Sequence, residues 1–221
     1  MNDANGAHDA KLRFSPEEIR LATDEAWILT KNSVMEKIVH LMAELSGEYR
    51  VIWAEAHIGG EEDPGSPKIS RGENYRGLPW VMLDYPRVFG REDVMAIRAM
   101  FWWGHAFIVT LHLKGKYQRL FSPVLQANCD RLAAAGFHRG ISEDEWRHEH
   151  AEENYRPLTG DEDLETGLPF LKLSASIGIG QWERAYETMS EWFTILTAIL
   201  ASCPAGERGL SPGSSRAGSD L

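Results

Sequence analysis

The chain has 221 residues, 43% of them hydrophobic, with eight tryptophans, two cysteines and a formal net charge of −10 at pH 7. That length supports one domain with a substantial core. Two cysteines exclude a disulfide framework and favour a reducing compartment, and the acidic balance argues against nucleic-acid binding.

Residues 1–13 are polar and read as a disordered tail, residues 14–203 as a single domain, and residues 204–221 as a second disordered tail. The opening residues lack the basic-then-apolar layout of a signal peptide, so the expected location is cytoplasmic. Ser15-Pro16-Glu17-Glu18 places a cap, a proline at the first helical position and a capping-box glutamate together, and opens a short helix. From Lys31 a longer helix is predicted, because Val34, Ile38, Leu41, Leu45, Tyr49 and Ile52 recur at steps of four and three. Glu36, His40 and Glu44 share another face of it, read as solvated and salt-bridged rather than metal-binding.

Residues 57–72, with four glycines and two prolines, read as loop. Trp80 to Tyr85 reads as a strand closed by Pro86. Val94 to Leu113 is the most apolar stretch of the chain. Arg98, His105 and His112 are spread along it, which excludes a membrane span. A helix would place Val94, Ile97 and Phe101 on one face. A hairpin is preferred, with Gly104-His105 as a two-residue type II′ turn. It sets Trp103 opposite Ala106, Phe101 opposite Ile108, Ala99 opposite Thr110 and Ile97 opposite His112. Arg98 then stands opposite Leu111, as one charge on an apolar face, with His112 on the other face. A buried guanidinium needs a carboxylate or backbone acceptors, and Asp84 is the first choice of partner, Glu73 the second.

Ser122-Pro123 repeats the cap-then-proline signal and opens a helix to Ala135, stopped by Gly136. Phe137 to Ile141 reads as an edge strand. Ser142 and Glu145 form a capping-box pattern that predicts an acidic helix to about Asn154. Residues 160–167 are loop, Pro169 to Ser174 a strand, and Gln181 to Ala201 a helix with Trp182, Ala185, Met189, Phe193, Leu196 and Leu200 at helical spacing. The expected fold is α+β: an antiparallel sheet of four to six strands with the hairpin at its centre, packed by long N- and C-terminal helices.

Motifs assign no reaction and no cofactor. Glu145-x-x-His148 has dimetal spacing, but no second copy exists and His148 and His150 would point apart on a helix, so no metal is expected. Gly178-Ile-Gly180 reads as a helix entry, and Cys129 as a buried structural thiol. Glu73-Asn74-Tyr75-Arg76 recurs as residues 153–156, and Gly77-Leu78-Pro79 as residues 167–169, without a shared pattern of elements around them.

Residues 68–119 carry nine basic and four acidic side chains, a basic middle in an acidic protein. Within it, Arg71, Glu73, Asn74, Tyr75 and Arg76 crowd a glycine-flanked loop, and Asp84, Tyr85, Arg87, Arg98 and His112 follow. Arginine forks and close backbone approach suit a carboxylate or phosphate. The expected function is binding of, or action on, a small anionic molecule through this arginine-rich loop. The alternative is an interaction or oligomerisation module, without catalysis, using surface aromatics among Trp80, Trp102 and Trp103.

Overall fold

The structure, a computed structural model, describes residues 13–58, 64–160, 164 and 167–204. The two expected tails lie outside the described residues except for Arg13 and Pro204, as do parts of the loops expected at 57–72 and 160–167. The described residues form two compact units, one ending at His40 and one beginning at Leu41.

In the first unit the capping box forms as its residues dictate. The Ser15 hydroxyl accepts from the Glu18 amide at 3.2 Å, and the Glu18 carboxylate accepts from the Ser15 amide at 2.7 Å, opening α1, Pro16–Ala22. The next helix, α2, Glu25–Ala56, starts before Lys31 because the Asp24 carboxylate accepts from the Trp27 amide at 3.1 Å.

The second unit is built on one antiparallel sheet of seven strands, in the order β1-β2-β3-β4-β7-β5-β6. These are β1 Lys68–Tyr75, β2 Leu78–Phe89, β3 Val94–Trp102, β4 Ala106–Lys114, β5 His138–Gly140, β6 Tyr155–Pro157 and β7 Phe170–Gly178. Seven replaces the expected four to six because both edges were missed. Strand β1 is rich in charge, serine and glycine, a composition that suits an edge and reads as loop, and β6 is only three residues long. Strand β2 runs on through Pro86, which sits where the β2–β3 register shifts between Asp84 and Arg87. A bulge needs no ladder hydrogen bond at that position, so proline is tolerated. Strand β5 is not an edge but lies between β7 and β6.

The hairpin β3–β4 is central, and its register differs from expectation by one residue. Trp102 pairs with Ala106, Phe101 with Phe107, Ala99 with Val109 and Arg98 with Thr110. Its loop is three residues, Trp103-Gly104-His105, with Gly104 at φ +75°, rather than the two-residue turn. A slip of one residue exchanges faces. Arg98 therefore leaves the face of Leu111 and joins that of Thr110 and His112.

The two faces are chemically distinct. Val81, Leu83, Ile97, Ala99, Phe107, Val109, Leu111, Leu173 and Ala175 are buried on one. Against it pack α3, Lys116–Ala127, and α5, Ala185–Ala201. From α2, Trp53 meets Tyr85 edge-on at 6.2 Å and Tyr49 stacks on Phe193 at 3.7 Å. The helix expected to open at Ser122-Pro123 and run to Ala135 begins earlier, at Lys116, with Pro123 inside it, and is divided into α3 and α4, Cys129–Ala134. The break is at Asn128, whose amide side chain donates to the Val124 carbonyl at 2.8 Å and competes with the backbone ladder. Before α5, residues Ile179–Arg184 form a 3₁₀ turn. Among the described residues no helix is long and apolar enough to cross a membrane.

Gly115 closes the hairpin's exit at φ +62°. A Cβ there would overlap the Asp93 carboxylate and the Glu92 carbonyl, and Asp93 accepts from the Lys116 amide at 2.7 Å. Gly115→Ala is expected to destabilise the protein by more than about 1 kcal/mol, since both φ and space oppose it. A urea midpoint equal to that of the parent protein would contradict this.

Candidate functional site

The other face of the sheet carries a polar row in register across its strands: Asp84 on β2, Arg98 on β3, Thr110 on β4, Ser174 on β7 and His138 on β5. One step along the strands stand Ala96, His112 and Lys172. Over them lies the connection between β5 and β6, residues 141–154, which is not the acidic helix that Ser142 and Glu145 predict. It is an irregular loop whose ends meet, the Ile141 amide donating to the Asn154 carbonyl at 2.9 Å. Local bonds that favour turns compete with helix: Asp144 accepts from the Trp146 amide at 2.9 Å. The capping glutamate itself points to the sheet, where Glu145 meets Lys114 at 3.0 Å and His112 at 3.3 Å.

Side chains seam the loop to the sheet. The Tyr75 hydroxyl donates to Glu149 at 2.5 Å and accepts from the His148 amide at 2.8 Å. Arg76 and Arg147 also pair with Glu149, at 2.5 and 2.6 Å. His150 bonds the Ser174 hydroxyl at 2.8 Å, and Lys172 donates to the Arg147 carbonyl. Arg98 binds Asp84 with two parallel bonds, Nε to Oδ1 at 2.6 Å and Nη2 to Oδ2 at 3.2 Å, and its Nη1 donates to His148 Nε2 at 2.9 Å. Since a guanidinium only donates, His148 carries its proton on Nδ1. That nitrogen is buried and has no partner among the described residues.

Electrostatics follow from this crowding of cations in a buried space. Burial, then repulsion from Lys172, Arg98 and Lys114, lowers the His112 pKa to about 3. Burial and Arg98 push His148 well below its ordinary value. His150 falls to about 4 through burial and the neighbouring His138. Lys172 drops to about 8 through burial and Arg98, with Asp144, Glu149 and Glu145 pulling the other way. Glu149 behaves oppositely: burial raises it, but the Tyr75, backbone and Arg147 hydrogen bonds together hold it lowered. Burial dominates the raised pKa of Tyr155, whose ring lies beneath the Lys172 ammonium at 5.3 Å.

Between loop and sheet is a small cavity lined by Phe89, Ala96, Arg98, Thr110, His112, His148 and Lys172. It leaves about 10 Å3 for the centre of a water molecule, room for one water or a monatomic ion. Its lining holds two cations and no carboxylate. It also has donors to spare. Arg98 directs three of its five N–H groups to protein partners, Lys172 one of three, and the His148 Nδ1–H none.

The expected site residues divide. Arg98 and His112 line the cavity, Asp84 lies behind Arg98 as its two-bond partner, and Tyr75 and Arg76 hold the loop above through Glu149. The others are placed elsewhere. Arg71 pairs with Val81 and so belongs to the helix-covered side of the sheet, exposed at its edge. Glu73 and Asn74 are exposed, and the Asn74 carboxamide shapes the turn by accepting from the Gly77 amide at 3.0 Å. Tyr85 is core, and Arg87 ties down the chain before β1 through the Ser66 carbonyl at 3.4 Å. Thr110, His148, His150, Lys172 and Ser174 were missed. Lys172, alone among Phe170, Leu171 and Leu173, carried the same signal as Arg98, a single charge inside an apolar strand. Of the tryptophans weighed as a contact surface, Trp102 is buried and Trp80 and Trp103 are half-buried. Among the described residues, no three His, Cys, Asp or Glu side chains are grouped to hold a metal ion.

Comparison with protein-family models, with curated proteins and with solved structures returns no match.

Proposed function

We propose that this chain binds a small anion, or the anionic group of a small molecule, in the cavity between the open sheet face and the 141–154 loop. The observation that supports this reading is the cavity lining: Arg98 and Lys172 both face it, and no carboxylate does. Asp84 is already committed to Arg98 by two bonds. Lys172 is 3% exposed and forms no ion pair with a carboxylate among the described residues, an arrangement that costs free energy until an anion joins it. Arg71 and Arg76, central to the arginine-rich loop of the sequence, are rim or edge residues in this reading.

Thermal unfolding at fixed ionic strength tests it, with chloride, nitrate, formate, acetate and phosphate as probes. At a hundredfold excess over its Kd, a bound anion is expected to add about 2.7 kcal/mol of stability. Lys172→Met should be more stable than the parent protein without anion and should lose most of the anion response. Equal responses of parent and Lys172→Met to every probe would remove the proposal.

A further inference from the structure

The rim of the cavity differs from its interior. Phe89, which lines it, is 39% exposed, and Trp146 on the covering loop is 49% exposed. Their ring centroids are 6.2 Å apart at an interplanar angle of 44°. Each ring also reaches a charged or polar group of the interior. Trp146 stands edge-on to His112 at 5.7 Å, and the Arg98 guanidinium lies 5.8 Å from the Phe89 centroid. Trp146 is held in place by the Asp144 bond to its amide and by Glu145 beside it, which is anchored on Lys114. Two large, partly exposed apolar rings thus stand at the mouth of a cationic, donor-rich cavity.

We infer that the ligand is a monoanion whose carboxylate sits on an aromatic or flat apolar body, the head entering among Arg98, Lys172 and His148 and the body covering Phe89 and Trp146. This rests on the anion-binding reading and specifies its ligand class. The head has a place to bond. His148 Nε2, a neutral acceptor, occupies Arg98 Nη1, and a carboxylate oxygen is the stronger, charge-assisted acceptor for the same donor. Displacing His148 shifts the loop outward and enlarges a space that now holds one water-sized body. The loop is joined to the sheet by side chains rather than by a strand ladder, so it can move without breaking the sheet.

The body has a place as well. A third ring against Phe89 and Trp146 would meet both at the offset and edge-on separations that aromatic pairs favour. The charge of the head is limited to one. Glu143 and Asp144 are exposed on the loop beside Trp146, and a dianion would face them as it enters. An aryl carboxylate fits these constraints, whereas a phosphate monoester does not.

The test uses the full chain, tryptophan fluorescence and titration calorimetry, with benzoate, acetate, benzyl alcohol and phenyl phosphate at constant ionic strength. Benzoate is expected to bind roughly tenfold more tightly than acetate, the scale of one or two aromatic contacts. Phe89→Ala and Trp146→Ala should shrink that preference to within about threefold, benzoate losing more affinity than acetate in each. Calorimetry reads binding where Trp146→Ala removes the optical signal, and circular dichroism confirms that each variant is folded. Benzyl alcohol should not bind, and phenyl phosphate should bind more weakly than benzoate. Equal affinity for benzoate and acetate, or a preference that survives loss of both rings, would overturn the aromatic body while the anion site stands. Phenyl phosphate binding more tightly than benzoate overturns the single charge. Benzyl alcohol matching benzoate overturns the anionic head. If no anion binds, the anion-site reading itself fails, and this inference with it.

Discussion

Asp84→Ala is expected to lower the unfolding free energy by about 3–5 kcal/mol, the largest effect of any single replacement on the polar face. Asp84 is 6% exposed, and the Arg98 side chain is 14% exposed. Removing the carboxylate leaves a guanidinium with only the His148 imidazole as acceptor, inside a site that already contains Lys172. The attraction lost in a low-dielectric interior then greatly exceeds that of a surface pair, which contributes at most about 1 kcal/mol. The double replacement Asp84→Leu with Arg98→Met should recover most of the loss, because a hydrophobic pair of similar volume offsets a buried ion pair without its desolvation cost. A residual deficit of about 1–3 kcal/mol is expected, since His148 Nε2 loses its donor. Urea unfolding of the parent, single and double variants measures all three quantities. A single-variant loss below about 1 kcal/mol would mean that the pair behaves like an exposed one, and the picture of a sealed polar layer would fail.

The second large effect is on acid stability. Burial and neighbouring cations hold His112 at about 3 and His150 at about 4, and His148 well below its usual range. In the unfolded chain these imidazoles titrate near 6.5. Between those values the unfolded state binds more protons than the folded state, so stability falls as the pH falls. Each histidine contributes about 1.4 kcal/mol per pH unit in that window. From pH 6.5 to 5, His112 and His150 together are expected to lower the unfolding free energy by about 3 kcal/mol, with His148 adding in the same direction. Two other shifted groups of the site act outside this window. Lys172, lowered to about 8, is protonated in both states below that pH, and its effect, stability rising with pH, lies between about 8 and 10.5. Glu149, whose pKa is lowered, loses its contribution only as the pH falls below the usual carboxylate range. Urea unfolding at pH 7, 6 and 5 checks the slope, and His150→Gln should reduce it by about one histidine's share. A flat profile across that window would show that the three imidazoles are solvated.

Much of the α+β frame is legible along the chain because it depends on local patterns. The capping box at Ser15 and Glu18 forms as spaced, since its bonds join neighbours three residues apart. The periodic apolar residues of α2 and α5 mark helices because one face of each must leave water. The strands of the hairpin are marked by β-branched and aromatic residues in short runs bounded by glycine. Edge strands β1 and β6 escape such a reading, because an edge beside solvent needs little apolar content. The 141–154 loop escapes it for a different reason. Its capping-box pattern is locally sound, but Glu145, His148 and His150 gain stronger partners on the sheet than a helix would give them.

What the sequence by itself determined about this protein is the capped N-terminal helix, the two long helices, the central strands and the need of Arg98 for a partner. The tertiary structure alone decided where that pair stands and what surrounds it. A three-residue loop at Trp103-Gly104-His105 in place of a two-residue turn shifts the register by one, and with a side-chain period of two this moves Arg98 from the helix-packed face to the face of Thr110 and His112. Lys172 joins them because β7 pairs with β4 across a gap of more than fifty residues, a contact that no local pattern encodes. The cationic cavity exists because those register choices align, and the free energy that aligns them comes from burying the opposite, apolar face against the helices.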